Sequence, residues 1–125
     1  MKILVCGGRD FKNYNLLKKV LDNYYEIKGL TIIHGGAKGA DSLAGEWAKR
    51  NDVFLKIFPA DWKQFGKSAG PKRNQKMIEE GKPDLVIAFP GGNGTADMIR
   101  RARRSNIPVK EINDEYFQIF DEETS

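Results

Sequence analysis

Short continuous apolar runs along this chain alternate with stretches in which apolar residues recur at helical spacing. Residues 1–6 form the first run, stopped by Gly7-Gly8, and read as a strand. Over residues 14–27, Leu16, Leu17, Val20, Leu21 and Tyr24 share one helical face, and Gly29 closes the segment. A second strand is predicted over 30–33, followed by Gly35-Gly36, and a helix over 40–50 with Leu43, Ala44, Trp47 and Ala48 inward. A third strand spans 53–58 and ends at Pro59. Residues 60–70 carry no periodicity and read as a loop over one face. Pro71 suits the first turn of a helix running to about residue 80, because that turn needs no amide donor. A fourth strand over 84–89 runs into Pro90-Gly91-Gly92, a helix follows over 95–105, and a fifth strand covers 108–112.

Strands and helices alternating at this interval imply crossover connections and a parallel sheet. The expected fold is α/β: a single-domain, Rossmann-like, doubly wound parallel sheet of about five strands over residues 1–113. Residues 114–125 form an acidic tail, with a short helix expected around Tyr116 to Phe120. Ligands of such sheets sit beyond the carboxyl ends of the strands, where strand order reverses. Three strands run into the glycine pairs Gly7-Gly8, Gly35-Gly36 and Gly91-Gly92, which places all three turns on one rim.

A length of 125 residues suits one domain with its own core. With 40% hydrophobic and 30% charged residues, the composition is that of an ordinary globular protein. No apolar run approaches the roughly 18 residues of a membrane span, and the first run is too short for a signal peptide. The single cysteine, Cys6, has no partner for an internal disulfide, which fits a reducing, cytoplasmic setting. The net charge of +4 is unevenly spread, with Arg100, Arg101, Arg103 and Arg104 clustered and the segment from 111 to 123 acidic. This balance suits an anionic ligand. Toward a helix C-terminus those arginines read first as a solvated face and only second as a nucleic-acid patch.

Pro90-Gly91-Gly92-Asn93-Gly94-Thr95 lies between an apolar strand and a helix start. Glycines there let backbone N–H groups approach phosphate oxygens, and the helix terminus adds its positive dipole. Thr95 either caps the helix or offers its hydroxyl to the ligand. The segment lacks the Gly-Lys-Ser/Thr of a Walker loop; Gly66-Lys67-Ser68 has that triplet without the preceding strand or the earlier glycine. The dinucleotide fingerprint needs a different glycine spacing. After Gly35-Gly36-Ala37, Asp41 either caps its own helix or holds a ribose hydroxyl. His34 is the only histidine and reads as structural; no metal site is expected, and no cofactor is required.

Arg9, next to Gly7-Gly8, is placed to clamp a phosphate, with a salt bridge to Asp10 or Asp41 as the alternative. Lys72, Arg73 and Lys76, with Asn74 among them, open a helix whose dipole opposes cations. An anionic ligand removes that conflict, and a solvated basic face is the other reading. Trp62, in the long loop, is placed to stack on a base. The expected ligand site therefore combines Gly7, Gly8 and Arg9 with Gly35, Gly36, Ala37 and Asp41, and with Arg73 and Asn74. Pro90, Gly91, Gly92, Gly94 and Thr95 complete it.

Taken together, these motifs resemble the SLOG superfamily, and within it the YspA, cpYpsA-related branch, over nearly the whole chain. The resemblance implies a Rossmann-like sheet, a nucleotide or nucleotide-derived (ADP-ribose-like) ligand, and a homodimer or larger assembly. The LOG-type phosphoribohydrolases of that superfamily split a nucleoside monophosphate into base and ribose 5-phosphate. Their pattern pairs Arg-Lys-x-x-Met with Pro-Gly-Gly-x-Gly-Thr-x-x-Glu. Arg73-Asn74-Gln75-Lys76-Met77 is similar to the first, with Asn74 in place of lysine, whereas Met98 stands in place of the catalytic glutamate. Asp97 is adjacent, but one residue along a helix rotates a side chain by about 100°. Cleavage of an N-glycosidic bond needs a carboxylate near the anomeric carbon. The expected function is therefore binding, as a sensor or a sequestering protein. A phosphoribohydrolase using Arg73 with Asp97 or Asp41 is the alternative. A single-stranded nucleic-acid binder, as DprA-like relatives are, comes after it and would use the 100–104 arginines with Trp62.

Overall fold

The computed structural model describes residues 1–113; the tail from 114, with the helix expected there, lies outside the described residues. Five parallel strands pair in the order β3-β2-β1-β4-β5. They are β1 (Lys2–Cys6), β2 (Thr31–His34), β3 (Phe54–Ile57), β4 (Leu85–Ala88) and β5 (Val109–Glu111). The chain enters at the centre, winds outward to β3, then crosses back to β4. Strand order therefore reverses between β1 and β4, where a parallel sheet opens its crevice. The fold is α/β and Rossmann-like, as the alternation of runs implies.

Side chains alternate across the pleat. Ile3 and Val5 of β1 join a cluster with α1 (Tyr14–Asp22) and α2 (Ala40–Arg50) on one face. Leu4 and Cys6 point the other way, into a cluster with α4 (Ala69–Glu79) and α5 (Asn93–Arg104), which follow the single-turn helix α3 (Trp62–Phe65). Helix α2 has the predicted bounds, with Ala44, Trp47 and Ala48 buried and Leu43 half-buried. The Trp47 indole N–H donates to Asp22 Oδ1 at 2.9 Å, so the bulkiest core side chain has no unpaired polar atom.

Several boundaries differ from expectation. Helix α1 stops at Asp22, not at 27, because the Asn23 side-chain amide donates to the carbonyls of Lys19 and Val20 and turns follow. The expected loop over 60–70 contains α3, N-capped by Asp61, whose carboxylate accepts from the Gln64 amide at 3.1 Å, and then a 3₁₀ turn over Gly66–Ser68. Helices α4 and α5 each begin two residues before the expected start, at Ala69 and Asn93. Gly92, not Thr95, is thus the N-cap of α5. Among the described residues no helix is long and apolar enough to cross a membrane.

Candidate functional site

A cleft of about 610 Å³ lies over the β1/β4 reversal. Gly7, Gly8 and Arg9 form one wall, following β1; Gly92, Asn93, Gly94 and Thr95 form the opposite wall, at the start of α5. Trp62, Lys67, Gly70 and Pro71 come from the segment around α3, with Arg73 and Asn74 from α4. Cys6 and Met77 contribute apolar lining, and Ala37 and Asp41 come from the turn after β2 and the start of α2. Burial pushes the Cys6 thiol far up, so it stays protonated.

The glycines divide by what their missing side chain makes room for. At Gly39, with φ +78°, a Cβ would strike the Gly8 carbonyl, and at Gly7 it would come within 2.6 Å of the Ala40 Cβ. Those two glycines let the first turn press onto the start of α2, where the Ala40 amide donates to the Gly8 oxygen at 3.2 Å. At Gly92 and Gly94 a Cβ would meet nothing within 4 Å. The protein does not need glycine there for packing. Along the same wall, the amides from Gly91 to Thr95 donate to no acceptor among the described residues. Such a run of N–H groups at a helix N-terminus is suited to an anion.

Four expected site residues stand behind the walls and do not line the cleft. Gly35 seats Arg73: its carbonyl accepts from Arg73 Nη1 at 2.6 Å, and any Cβ there would collide with the guanidinium. Gly36 packs against Ile57 and Pro59. The Pro90 carbonyl accepts from the Gly8 amide at 2.8 Å, tying the two walls together. Gly91 leaves space for the Thr95 hydroxyl. The other ten expected residues line the cleft.

Asp41 lines the cleft but does not cap α2, whose N-cap is Gly39. Its Oδ2 accepts from the amides of Gly35 and Ala37 at 3.0 and 3.2 Å, folding the second turn back on itself. Burial pushes its pKa up against the pull of those amides and of Arg73. Arg9 pairs with no carboxylate among the described residues; its guanidinium lies over the Trp62 ring, 5.6 Å from the centroid. The salt bridge to Asp10 or Asp41, the alternative reading of Arg9, does not form. Of the cations opening α4, only Arg73 turns to the cleft. Lys72 sits 3.8 Å from the Phe65 ring centroid, and Lys76 pairs with Glu80.

Position 98 does not face the cleft. Met98 is 1% exposed and packs with Leu4, Cys6, Ile33 and Met77. The side chain α5 presents to the cleft is Asp97, so the expectation that helix rotation carries Asp97 away from the site is corrected. Its Oδ2 accepts from Arg101 Nε at 2.8 Å and from Asn74 Nδ2 at 3.0 Å. Burial favours the neutral acid, but the bonds from Arg101 and Asn74 together hold this carboxyl below the usual carboxylate range. Asn74, itself buried, also donates to the Gly94 carbonyl at 3.2 Å and fixes α4 against the start of α5. Of the arginine cluster only Arg100 lines the cleft; Arg101 bonds Asp97 and Gln75, and Arg103 pairs with Glu111. Lys67 was missed, although the Gly66-Lys67-Ser68 triplet was the signal for it.

His34 is structural, as its isolation implies. Its Nδ1 accepts from the Gly36 amide at 2.9 Å, and Gly45 makes room for the ring, since a Cβ there would lie 2.9 Å from Nε2. Burial, with Lys49 and Arg73 nearby, lowers its pKa from 6.5 to about 4. The buried ring therefore resists a proton that the unfolded chain accepts. Stability from this source is complete above pH 6.5 and is lost as pH falls toward 4, by at most about 3 kcal/mol at 1.36 kcal/mol per pH unit. Denaturant melts at pH 7 and 4.5 should show this loss in the parent and not in His34→Gln. An equal pH dependence in both proteins contradicts the assignment. Among the described residues no group of three or more His, Cys, Asp or Glu is placed to hold a metal.

A parallel α/β sheet with a cationic, glycine-walled cleft at its reversal point defines a Rossmann-like domain. The chain belongs to the YspA, cpYpsA-related SLOG family, whose model matches residues 1–65. It is 34% identical over 122 residues to the Gene 61 protein of Mycobacterium phage D29, covering 90% of this chain and 97% of that relative. The fold is similar to an X-ray structure titled TM1055, a Northeast Structural Genomics Consortium target. That likeness has a TM-score of 0.63 at 16% identity, covering 86% of this chain and 71% of the other.

Proposed function

We propose that the cleft binds a nucleotide or nucleotide-derived ligand by its phosphate, and that the chain senses or sequesters that ligand. The observation that carries this reading is the α5 wall, where Gly92 and Gly94 leave open space beside a run of free amides. Four cations, Arg9, Lys67, Arg73 and Arg100, line the same cleft, while its two carboxylates are already hydrogen-bonded to protein donors. Trp62 is 48% exposed, leaving ring surface for a base. Arg9 tests the reading cleanly because it is exposed and makes no structural ion pair. Arg9→Ala should weaken a nucleoside phosphate about tenfold, the lower end for a charge-assisted hydrogen bond, and leave the bare nucleoside unchanged in calorimetry. Equal losses for both ligands would sink the phosphate role.

Asp97 in the cleft supports a second reading, the nucleoside-monophosphate phosphoribohydrolase. An ionised carboxylate there can steady positive charge on a sugar. Its Oδ2, however, is committed to Arg101 and Asn74, and Asp41, the other carboxyl, is bonded to the turn after β2. Neither is placed as a free acid for the leaving base. Release of free base from a panel of monophosphates should stay far below the usual enzymatic range of about 1–10³ per second. Turnover within that range, abolished by Asp97→Asn, would establish the hydrolase in its place. The dispersal of the arginine cluster into ion pairs disfavours a nucleic-acid surface.

A further inference from the structure

Arg73 is held from two sides. Its Nη1 donates to the Gly35 carbonyl at 2.6 Å, and its Nε donates to Asn74 Oδ1 at 3.1 Å. Two anchored nitrogens fix the plane of a guanidinium, and its remaining N–H groups are left for the cleft that Arg73 lines. Arg9 stands near enough for its charge to oppose that of Arg73, a conflict that an anion between them removes.

The direction in which Asn74 faces is set by α5. Its Nδ2 donates to Asp97 Oδ2 at 3.0 Å and to the Gly94 carbonyl at 3.2 Å, so both amide hydrogens are spent on that helix. Turning the amide over would set Nδ2 against the Arg73 donor and Oδ1 against two acceptors. Asn74 is 5% exposed, so water offers no substitute partner. Arg101 in turn donates to Asp97 Oδ2 at 2.8 Å and keeps that carboxylate in place. The bonds thus run from α5 through Asn74 to Arg73, and an amide with both hydrogens committed has none to offer a ligand.

Resting on the phosphate-binding reading above, we infer that Asn74 is a positioning residue. Oriented by Asp97 and Gly94, it sets the Arg73 guanidinium to meet a phosphate lying against the start of α5. Asp97 serves this arrangement as the carboxylate that orients Asn74. The cation from α4 and the amides of α5 are then held as one unit, with little side-chain freedom left to lose when a phosphate arrives.

Calorimetry on the full chain with AMP, UMP, GMP and inorganic phosphate tests this in a double-mutant cycle. For a compound that the parent binds, Asn74→Ala should weaken binding about tenfold, the order of the cost of ordering a freed arginine. In an Arg73→Ala background the same change should cost less than about twofold, because Asn74 acts through Arg73. A loss of equal size in both backgrounds, or no loss in either, overturns the proposal. A second readout needs no ligand. In the parent, NMR should show the Arg73 Nε–H exchanging with water at least about tenfold more slowly than that of the exposed Arg104. Asn74→Leu, which keeps the bulk of the side chain, should remove that protection. Exchange in the parent as fast as at Arg104, or protection that survives Asn74→Leu, overturns the proposal and leaves the phosphate-binding reading standing. A parent that binds none of the four compounds defeats that reading and the proposal with it.

Discussion

Met98→Glu is expected to destabilise the fold by about 3–5 kcal/mol, the scale of an uncompensated buried charge. The site is wholly apolar: Met98 is 1% exposed, among Leu4, Cys6, Ile33, Met77 and Ala102. A whole domain has only about 5–15 kcal/mol of stability, so the variant should lie near its unfolding threshold. The loss should also depend on pH. A carboxyl forced into that cluster has its pKa raised above the unfolded value near 4.3. The penalty is therefore small below that value and grows as pH rises, making the variant weaker at pH 8 than at pH 5 relative to the parent. Met98→Leu, which conserves volume, should cost less than about 1.5 kcal/mol. Urea titrations at the two pH values measure all of this. A Met98→Glu protein as stable as the parent, and releasing base from a monophosphate, would mean that position 98 faces the cleft.

Gly92→Val is expected to reduce nucleotide affinity by more than about a hundredfold, equivalent to some 3 kcal/mol, while the protein stays folded. A Cβ at Gly92 meets no protein atom within 4 Å beyond its chain neighbours, so the branch point of a new side chain has room. The change costs at most about 1 kcal/mol through poorer capping of α5. What it does is place a branched side chain where a phosphate must approach the Asn93 and Gly94 amides. Gly39→Val is the contrasting case. There the side chain would strike the Gly8 backbone at φ +78°, so folding itself should suffer. Calorimetry paired with thermal melts separates the two outcomes. Undiminished binding by Gly92→Val would put the phosphate elsewhere.

The sheet was legible because its first four strands are short, largely apolar runs ended by glycine or proline, a signal that tertiary context cannot easily override. Parallel strands put all their carboxyl ends on one rim, and that alone located Gly7, Gly8, Gly92 and Gly94 together. Helix α3 was not legible, since one turn offers no repeat for a period to show. The role of each glycine was hidden for a different reason. A sequence shows that a Cβ is missing but not what occupies its place, which is a guanidinium at Gly35, a hydroxyl at Gly91 and open space at Gly92. The helical period shows that Asp97 and Met98 point in different directions. Which of the two directions is the cleft is set by how α5 lies against α4 and the sheet. Lys67 was not legible as a cleft residue because its Gly66-Lys67-Ser68 triplet lacks the strand and glycine of a Walker loop, and the 3₁₀ turn that brings it to the cleft follows the one-turn α3.

In the proposed complex a ligand phosphate rests on the start of α5. Amide chemical shifts followed by heteronuclear NMR, while a nucleoside phosphate is titrated in and then the same nucleoside without phosphate, test it most directly. The amides of Gly91 to Thr95 should shift most with the phosphate form and little with the bare nucleoside. Shifts confined to other turns, or equal for both compounds, would contradict it.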